Sequence, residues 1–129
     1  FRPGSIYQRY IETLGQIVKQ LADRGDVILV GRAGNSLLRD DPRAFHVRLV
    51  AQMAVRLRRV MEYRWVREGI AKKLVAESDS QRRNFYESYF GVDWASPLEY
   101  HITVNSGRLG PAALDLVSSA AERHWRRTG

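Results

Sequence analysis

The sequence contains no cysteine, which excludes disulfide bonds and thiolate metal sites from this chain. Its histidines lie far apart, at His46, His101 and His124, without the spacing of a metal-binding motif, so we predict no structural metal. No apolar run approaches the ~20 residues that a membrane helix needs, and no signal peptide is visible. We therefore expect no membrane association and a cytoplasmic location.

A phosphate loop of the form Gly-x-x-x-x-Gly-Lys-Ser/Thr is also missing. That loop normally holds the β- and γ-phosphates and Mg²⁺ of a nucleoside triphosphate. The chain begins with Phe1 rather than methionine. We expect it to be a fragment, a processed product or the tail of a larger polypeptide.

The 129 residues, of which 44% are hydrophobic, suit a single domain (1–129) with a packed core. The net charge is +7, from 21 Lys and Arg against 14 Asp and Glu, which favours anionic partners. Lysine occurs only at Lys19, Lys72 and Lys73. The excess of arginine either serves bidentate phosphate recognition or reflects an arginine-rich codon usage.

Hydrophobic periodicity and turn residues predict an α/β protein, a three-layer parallel sheet with helices on both faces. Ser5 is the expected N-cap of the first helix, and Gly25, Gly69 and Gly91 are expected interruptions. The predicted strands are 27–31, 46–50 and 101–104, and the predicted helices are 5–24, 33–39, 52–68, 70–89 and 111–125.

A Gly31-Arg32 turn follows the first predicted strand. Ligands of open α/β sheets bind beyond the carboxyl ends of the strands, where backbone amides and a guanidinium suit a phosphate. Arg32 either contacts such a phosphate or pairs with a carboxylate, Asp26 or Asp40.

Several further arginines either contact a phosphate or nucleotide or lie on the solvated surface. Arg82 and Arg83 follow Asp79 by one helical turn, either to clamp a transferring phosphoryl group or to form ordinary ion pairs on a solvated helix. The run around Arg56 and Arg59 fits nucleotide contact or a solvated surface equally. Arg48 lies beneath a site or on a partly exposed strand.

The aromatic residues near this basic helix are interpreted as packing residues under the loop that follows it, with base stacking in a nucleic-acid site as the alternative. They are Tyr86, Tyr89, Phe90 and Trp94.

Taken in order, four segments of the chain resemble the cytidylate kinase-like family of nucleoside monophosphate kinases. The resemblance runs from about Tyr10 to Ala121. The segments are VILVGRAGNSLLRD, FHVRLVAQMAVRLRRVM, ESDSQRRNFYESYFGVDW and VNSGRLG.

The resemblance implies a partial P-loop NTPase fold that lacks its N-terminal strand and phosphate loop. It also implies ATP with Mg²⁺ in the intact enzyme and a nucleotide as phosphate acceptor. The implied site residues form three groups. They are Gly31, Arg32, Asn35 and Asp79 near the acceptor phosphate, Arg82 and Arg83 as catalytic residues of the mobile lid, and Arg56, Arg59, Asn105 and Arg108 near the donor nucleotide.

Segments 27–30 and 46–50 resemble two strands of this family. In the family, the N-terminal strand that this sequence lacks lies between those two. We expect the gap to be closed by direct pairing of these two strands or by a strand from another chain, which would make a homo-oligomer. The chain alone is expected to be inactive. A fragment or degenerate copy of a nucleotide kinase is the first hypothesis, with a nucleotide-sensing module and a basic nucleic-acid-binding domain as alternatives; nucleic acid is the less expected partner.

Overall fold

The computed structural model describes residues 6–128 of a mixed α/β protein that is mostly helical. The predicted N-cap, Ser5, lies outside the described residues. The elements in chain order are α1 (Ile6–Arg24), α2 (Gly34–Leu37), β1 (Val47–Val50), α3 (Met53–Arg64), α4 (Glu68–Phe90), a 3-10 helix (Pro97–Glu99), β2 (Ile102–Asn105), α5 (Ser106–Leu109) and α6 (Ala112–Thr128).

The sheet consists of β1 and β2, which pair in parallel with Val47 opposite Ile102 and Val50 opposite Asn105. Just before the strands, the His101 amide donates to the His46 carbonyl at 2.8 Å. Two of the predicted strands are thereby confirmed, and so is their parallel orientation. The first begins one residue later than predicted, and the second is shifted by one residue.

The predicted strand 27–31 is not a strand in this structure. Its residues pair with neither β1 nor β2, and Ile28 and Val30 are 90% and 87% exposed. The alternative of direct pairing between this segment and 46–50 is therefore wrong: among residues 6–128 β1 pairs with β2 alone, and its other edge is open. The three-layer sheet is likewise not formed by residues 6–128. An apolar run indicates burial only where another element covers it, and none of the described elements covers this one.

Helices α3 and α4 form a hairpin around a small apolar core of Leu57, Ala71 and Val75. Helix α3 ends at Trp65, which adopts a left-handed conformation with φ 55° and donates its amide to the Met61 carbonyl. The predicted interruption at Gly69 is wrong, since Gly69 lies in the first turn of α4. The hairpin holds the basic faces of α3 and α4 beside each other.

Helix α1 packs against α2, and helix α6 packs against α5. Gly25, at φ 73°, ends α1 by donating to the carbonyls of Leu21 and Ala22, as predicted. Helix α6 packs against β2 and begins just after Pro111, close to its predicted start. Within residues 6–128, no helix combines the length and the apolar character that crossing a bilayer demands.

Candidate functional site

The carboxyl ends of β1 and β2 meet at one edge of the sheet, and Arg59 of α3 is anchored there. The Ser106 hydroxyl donates to the Val50 carbonyl at 3.2 Å, which ties the two strand ends together. Arg59 donates from Nη1 to Ser106 Oγ at 3.0 Å and from Nη2 to the Ser106 carbonyl at 3.4 Å. The guanidinium of Arg59 therefore lies at the edge where parallel sheets bind ligands.

The tight turn after β2 is held by Asn105, whose Oδ1 accepts from the Arg108 amide at 2.9 Å. With its amide oxygen turned toward Arg108, Gln52 accepts from the Nε and Nη2 of that side chain at 3.2 Å. A Cβ on Gly107 would lie 3.2 Å from the Cβ of Ala51, so the turn approaches the end of β1 closely. Three of the four expected donor-side residues, Arg59, Asn105 and Arg108, thus meet at this edge.

The fourth, Arg56, pairs with Asp79 across the α3–α4 hairpin. Its Nη1 and Nη2 donate to the two carboxylate oxygens of Asp79 at 3.0 and 2.6 Å. Arg82 lies one turn further along α4, with Nη1 3.9 Å from the same carboxylate. The bidentate bond from Arg56 is the main reason that the pKa of Asp79 lies below its ordinary value. Asp79, which the resemblance assigned to the acceptor phosphate, is thus bound to Arg56 in this structure.

A groove of about 540 Å³ opens between α3 and α4 above this ion pair. Its walls are strongly basic, with a single carboxylate among the residues that line it. The lining residues are Arg56, Arg59, Val60, Tyr63, Arg64, Leu74, Val75, Glu77, Ser78, Gln81 and Arg82. Arg83, expected beside Arg82 in the lid, is exposed and forms no ion pair with the described residues.

Trp94, in the loop after α4, lies against two guanidiniums. The Arg48 guanidinium carbon is 4.6 Å from the ring centroid, and that of Arg82 is 5.1 Å away. Both distances are within the range of cation–π attraction. Arg48 also donates to the Ala95 carbonyl at 3.3 Å. Strand alternation placed Arg48 beneath a site or at a surface, but no sequence signal indicated its partner Trp94.

Asn35 is tied to α4 rather than to its neighbours in the Gly-Arg turn. The Tyr86 hydroxyl donates to Asn35 Oδ1 at 2.6 Å, and Asn35 Nδ2 donates to the Glu99 carbonyl at 3.4 Å. Burial raises the pKa of Tyr86 to about 12. The Tyr100 hydroxyl nearby donates to the Trp94 carbonyl at 2.8 Å. Asn35 therefore lies in the same polar cluster as Trp94.

Gly31 and Arg32 form a strained, exposed turn. Gly31, Arg32 and Ala33 have φ angles of 74°, 60° and 56°, a left-handed run in which two residues are not glycine. Such conformations are costly for residues with a Cβ. No carboxylate of residues 6–128 pairs with Arg32, so the expected alternative of an ion pair with Asp26 or Asp40 is not formed.

The three histidines, distant in sequence, lie together in space beside the sheet, with the His46 and His101 rings stacked and the His124 ring tilted against that of His101. The His101 ring centroid lies 5.1 Å from that of His46 and 4.6 Å from that of His124. His101 Nδ1 accepts from the His46 amide at 2.9 Å, and His46 Nε2 lies 3.1 Å from the Leu38 carbonyl. Sequence reasoning missed this cluster because the pairing of β1 with β2, which brings His46 and His101 together, has no local signal. Within residues 6–128, no three His, Asp or Glu side chains are arranged to hold a metal ion.

Comparison with known proteins places this arrangement in a family. The crystal structure of an uncharacterized protein from Eubacterium ventriosum superposes with a TM-score of 0.75 at 20% sequence identity, over 94% of this chain and 73% of that one. This likeness establishes the fold that the two proteins share. No curated protein matches the chain. The model of the cytidylate kinase-like family matches residues 4–108, most of the sequence. The chain therefore belongs to the cytidylate kinase-like family.

Proposed function

We propose that this chain provides the acceptor-side and lid regions of a nucleoside monophosphate kinase, which transfers the γ-phosphate of ATP to a nucleotide. The observation that carries the proposal is the convergence of Arg56, Arg59 and Arg82 on one groove between α3 and α4, from which Arg59 reaches Ser106 at the carboxyl edge of the sheet. Membership of the cytidylate kinase-like family supports the same reaction class.

The chemistry of phosphoryl transfer suits this set of side chains. The transferred group carries negative charge on its equatorial oxygens, and catalysis consists mainly of positioning and of fixed positive charge. Asp79 holds Arg56, and Ser106 holds Arg59, so both guanidiniums are oriented before a nucleotide arrives. Arg82 and Arg83, on the more exposed surface of α4, are the groups we assign to closing over the phosphates. Arg108 and Asn105 are assigned to the donor nucleotide.

Mg²⁺ enters this reaction with ATP as part of the substrate. Both oxygens of Asp79 are engaged by Arg56, so that carboxylate is not free to take a cation. The groove fits phosphate oxygens rather than a bare metal ion. The β- and γ-phosphates need a loop of backbone amides that the 129 residues lack.

We propose that this loop and its strand come from outside the 129 residues and lie between segment 27–30 and β1. The open edge of β1 supports that position, because β1 pairs only with β2 among residues 6–128 and a strand placed there would complete its backbone hydrogen bonds. The exposed side chains of Ile28, Val30 and Leu49 agree with a missing layer over the faces of the sheet. Incubation of the purified chain with CMP and MgATP is therefore expected to give no CDP. Robust turnover would show that the chain does not require the phosphate loop.

Nucleotide binding by the chain itself tests the proposal directly. Calorimetric titration with CMP, UMP, dCMP and AMP should detect binding of at least one monophosphate. Arg32→Lys should weaken it despite the retained charge, because lysine lacks the planar fork of arginine. Arg58→Lys is the matched control, since Arg58 is exposed on α3 and does not line the groove. A folded chain that binds none of the four nucleotides would refute the proposal.

The net charge of +7 favours a nucleic-acid-binding domain as the second candidate. Such a domain would bind oligonucleotides far more tightly than mononucleotides and lose affinity steeply with salt. The aromatic rings favour the first proposal, because Phe85 packs on Tyr86, Tyr89 and Phe90, and Trp94 lies against two guanidiniums. The nucleic-acid-binding function would become the first candidate if the affinity for single-stranded RNA fell steeply with salt and Trp94→Ala abolished that binding.

A further inference from the structure

Arg48 is a half-buried cation whose hydrogen-bonding capacity is incompletely used. Its Nε is buried and has no hydrogen-bond partner among residues 6–128. Among the same residues, no carboxylate forms an ion pair with it, and its one hydrogen bond there is the 3.3 Å contact from Nη1 to the Ala95 carbonyl. A buried charged donor without an acceptor is unfavourable, so a ligand that supplies an acceptor would be stabilised at this position.

The surroundings of Arg48 are cationic and polar rather than acidic. Arg82 lies against the same indole ring as Arg48, since the two guanidinium carbons are 5.1 and 4.6 Å from the Trp94 ring centroid. The carboxylate nearest to Arg82, that of Asp79, is taken by the shorter bidentate bond from Arg56. The Tyr86 hydroxyl and the Asn35 amide complete the cluster. Arg48 thus has no carboxylate partner among residues 6–128, and Arg82 has only the 3.9 Å contact with a carboxylate that Arg56 already holds, so the two guanidiniums suit an anion.

We propose that Arg48 and Arg82 bind the phosphate of the acceptor nucleotide, with Trp94 as the positioning residue that holds both guanidiniums. This inference rests on the proposed function and names residues of its acceptor subsite beyond Arg32. A phosphate bound by both guanidiniums provides the acceptor that Arg48 Nε lacks. Because that nitrogen is covered in this structure, the Trp94 ring shifts when the anion enters.

The position of Trp94 permits such a shift. It lies in the loop between α4 and the 3-10 helix, outside any helix or strand. Its backbone is fixed by the Tyr100 hydroxyl, which donates to the Trp94 carbonyl, and by the neighbouring turn in which the Ala95 amide donates to Asp93. The indole can therefore rotate about its side-chain bonds without disturbing the backbone. Anion binding is then reported by the fluorescence of Trp94.

The test is a titration of the full chain with inorganic phosphate and with CMP, followed by calorimetry and tryptophan fluorescence. A Trp65→Phe background removes the signal of the most exposed indole, which is 92% exposed. Arg48→Lys should weaken both ligands by about tenfold or more, the effect of losing a charge-assisted hydrogen bond. The control Arg58→Lys should change affinity by less than about twofold, as expected of an exposed charge. Trp94→Phe should abolish the fluorescence change and weaken binding less than Arg48→Lys does.

The outcomes separate the inference from the proposed function. Binding of CMP that Arg48→Lys leaves unchanged overturns the inference and leaves the function intact. Binding of phosphate but of no monophosphate, lost in Arg48→Lys, supports the anion site and refutes the nucleotide function. Absence of binding by the parent chain overturns both. If Arg48→Lys fails to fold, Arg82→Lys on the exposed side of α4 decides, and unchanged affinity in that variant overturns the inference.

Discussion

The ion pair between Arg56 and Asp79 joins the two helices that bear the basic groove, and its contribution to stability can be measured. Its side chains are 31% and 19% exposed, and both carboxylate oxygens accept from the guanidinium. Exposed pairs contribute about 0–1 kcal/mol, whereas breaking a fully buried pair costs about 3–5 kcal/mol. For this partly buried, bidentate pair we expect a coupling free energy of about 1–2 kcal/mol.

A double-mutant cycle measures that coupling. The free energy of unfolding is determined in urea for the parent chain, Arg56→Gln, Asp79→Asn and the double variant. A parallel cycle on Glu68 and Lys72 is the matched control, because this pair on α4 is 3.8 Å apart and each side chain is 64% exposed. The control coupling should stay below about 0.5 kcal/mol. A coupling at Arg56–Asp79 no larger than that of the control would refute the argument.

The pH dependence of the same coupling provides an independent check. Because Arg56 lowers the pKa of Asp79, the unfolded chain binds a proton at this carboxyl more readily than the folded chain does. The stabilisation is therefore fully present above the ordinary carboxyl pKa of about 3.9 and is lost as the pH falls through the lower, folded value. The coupling should be equal at pH 7 and pH 5 and decrease in stronger acid.

Three further outcomes follow from local geometry. Gly69→Ala should raise the free energy of unfolding by about 0.5–1 kcal/mol, because Gly69 is helical and its added Cβ meets no atom within 4 Å; Gly91→Ala, at φ 64°, should lower it. Trp65→Gly should stabilise by about 1 kcal/mol in thermal unfolding, because it relieves a left-handed conformation at an exposed side chain; a loss of stability would show that the indole packs in solution. Burial lowers the pKa values of His46 and His101, so stability should fall as the pH drops below the unfolded value of about 6.5. His101→Gln, which retains a hydrogen-bond acceptor, should reduce that fall in urea titrations at pH 7 and pH 5; an unchanged fall would assign it to other groups.

The helices and the two paired strands were predictable because their signals are local. Apolar periodicity located α1, Gly91 located the end of α4 and Pro111 the start of α6, and the runs around Val47 and Ile102 predicted strands to within one residue. Whether 27–31 forms a strand was not predictable in this way, because it depends on a partner strand that the apolar run does not specify. The end of α3 at Trp65 had no signal either, since a left-handed helix end is expected at glycine.

The site was predictable only in part, for the same reason. The family resemblance assigned Arg59, Asn105 and Arg108 to one subsite, and the structure brings them to the edge where β1 and β2 end. The pairing of Asp79 with Arg56 depends on the crossing of α3 and α4, which the sequence does not specify. Trp94 lies in an irregular loop, where no periodicity relates it to Arg48.

The pairing of β1 with β2 also determines the order in which this protein folds. Each residue pair of the sheet, such as Val47 with Ile102, spans a chain segment that contains the whole α3–α4 hairpin. Loop-closure entropy opposes such distant contacts until the intervening chain is compact, whereas the hairpin needs only local contacts. In refolding experiments the helical circular dichroism signal should therefore recover before the fluorescence of Trp94, which reports the contact with Arg48 of β1.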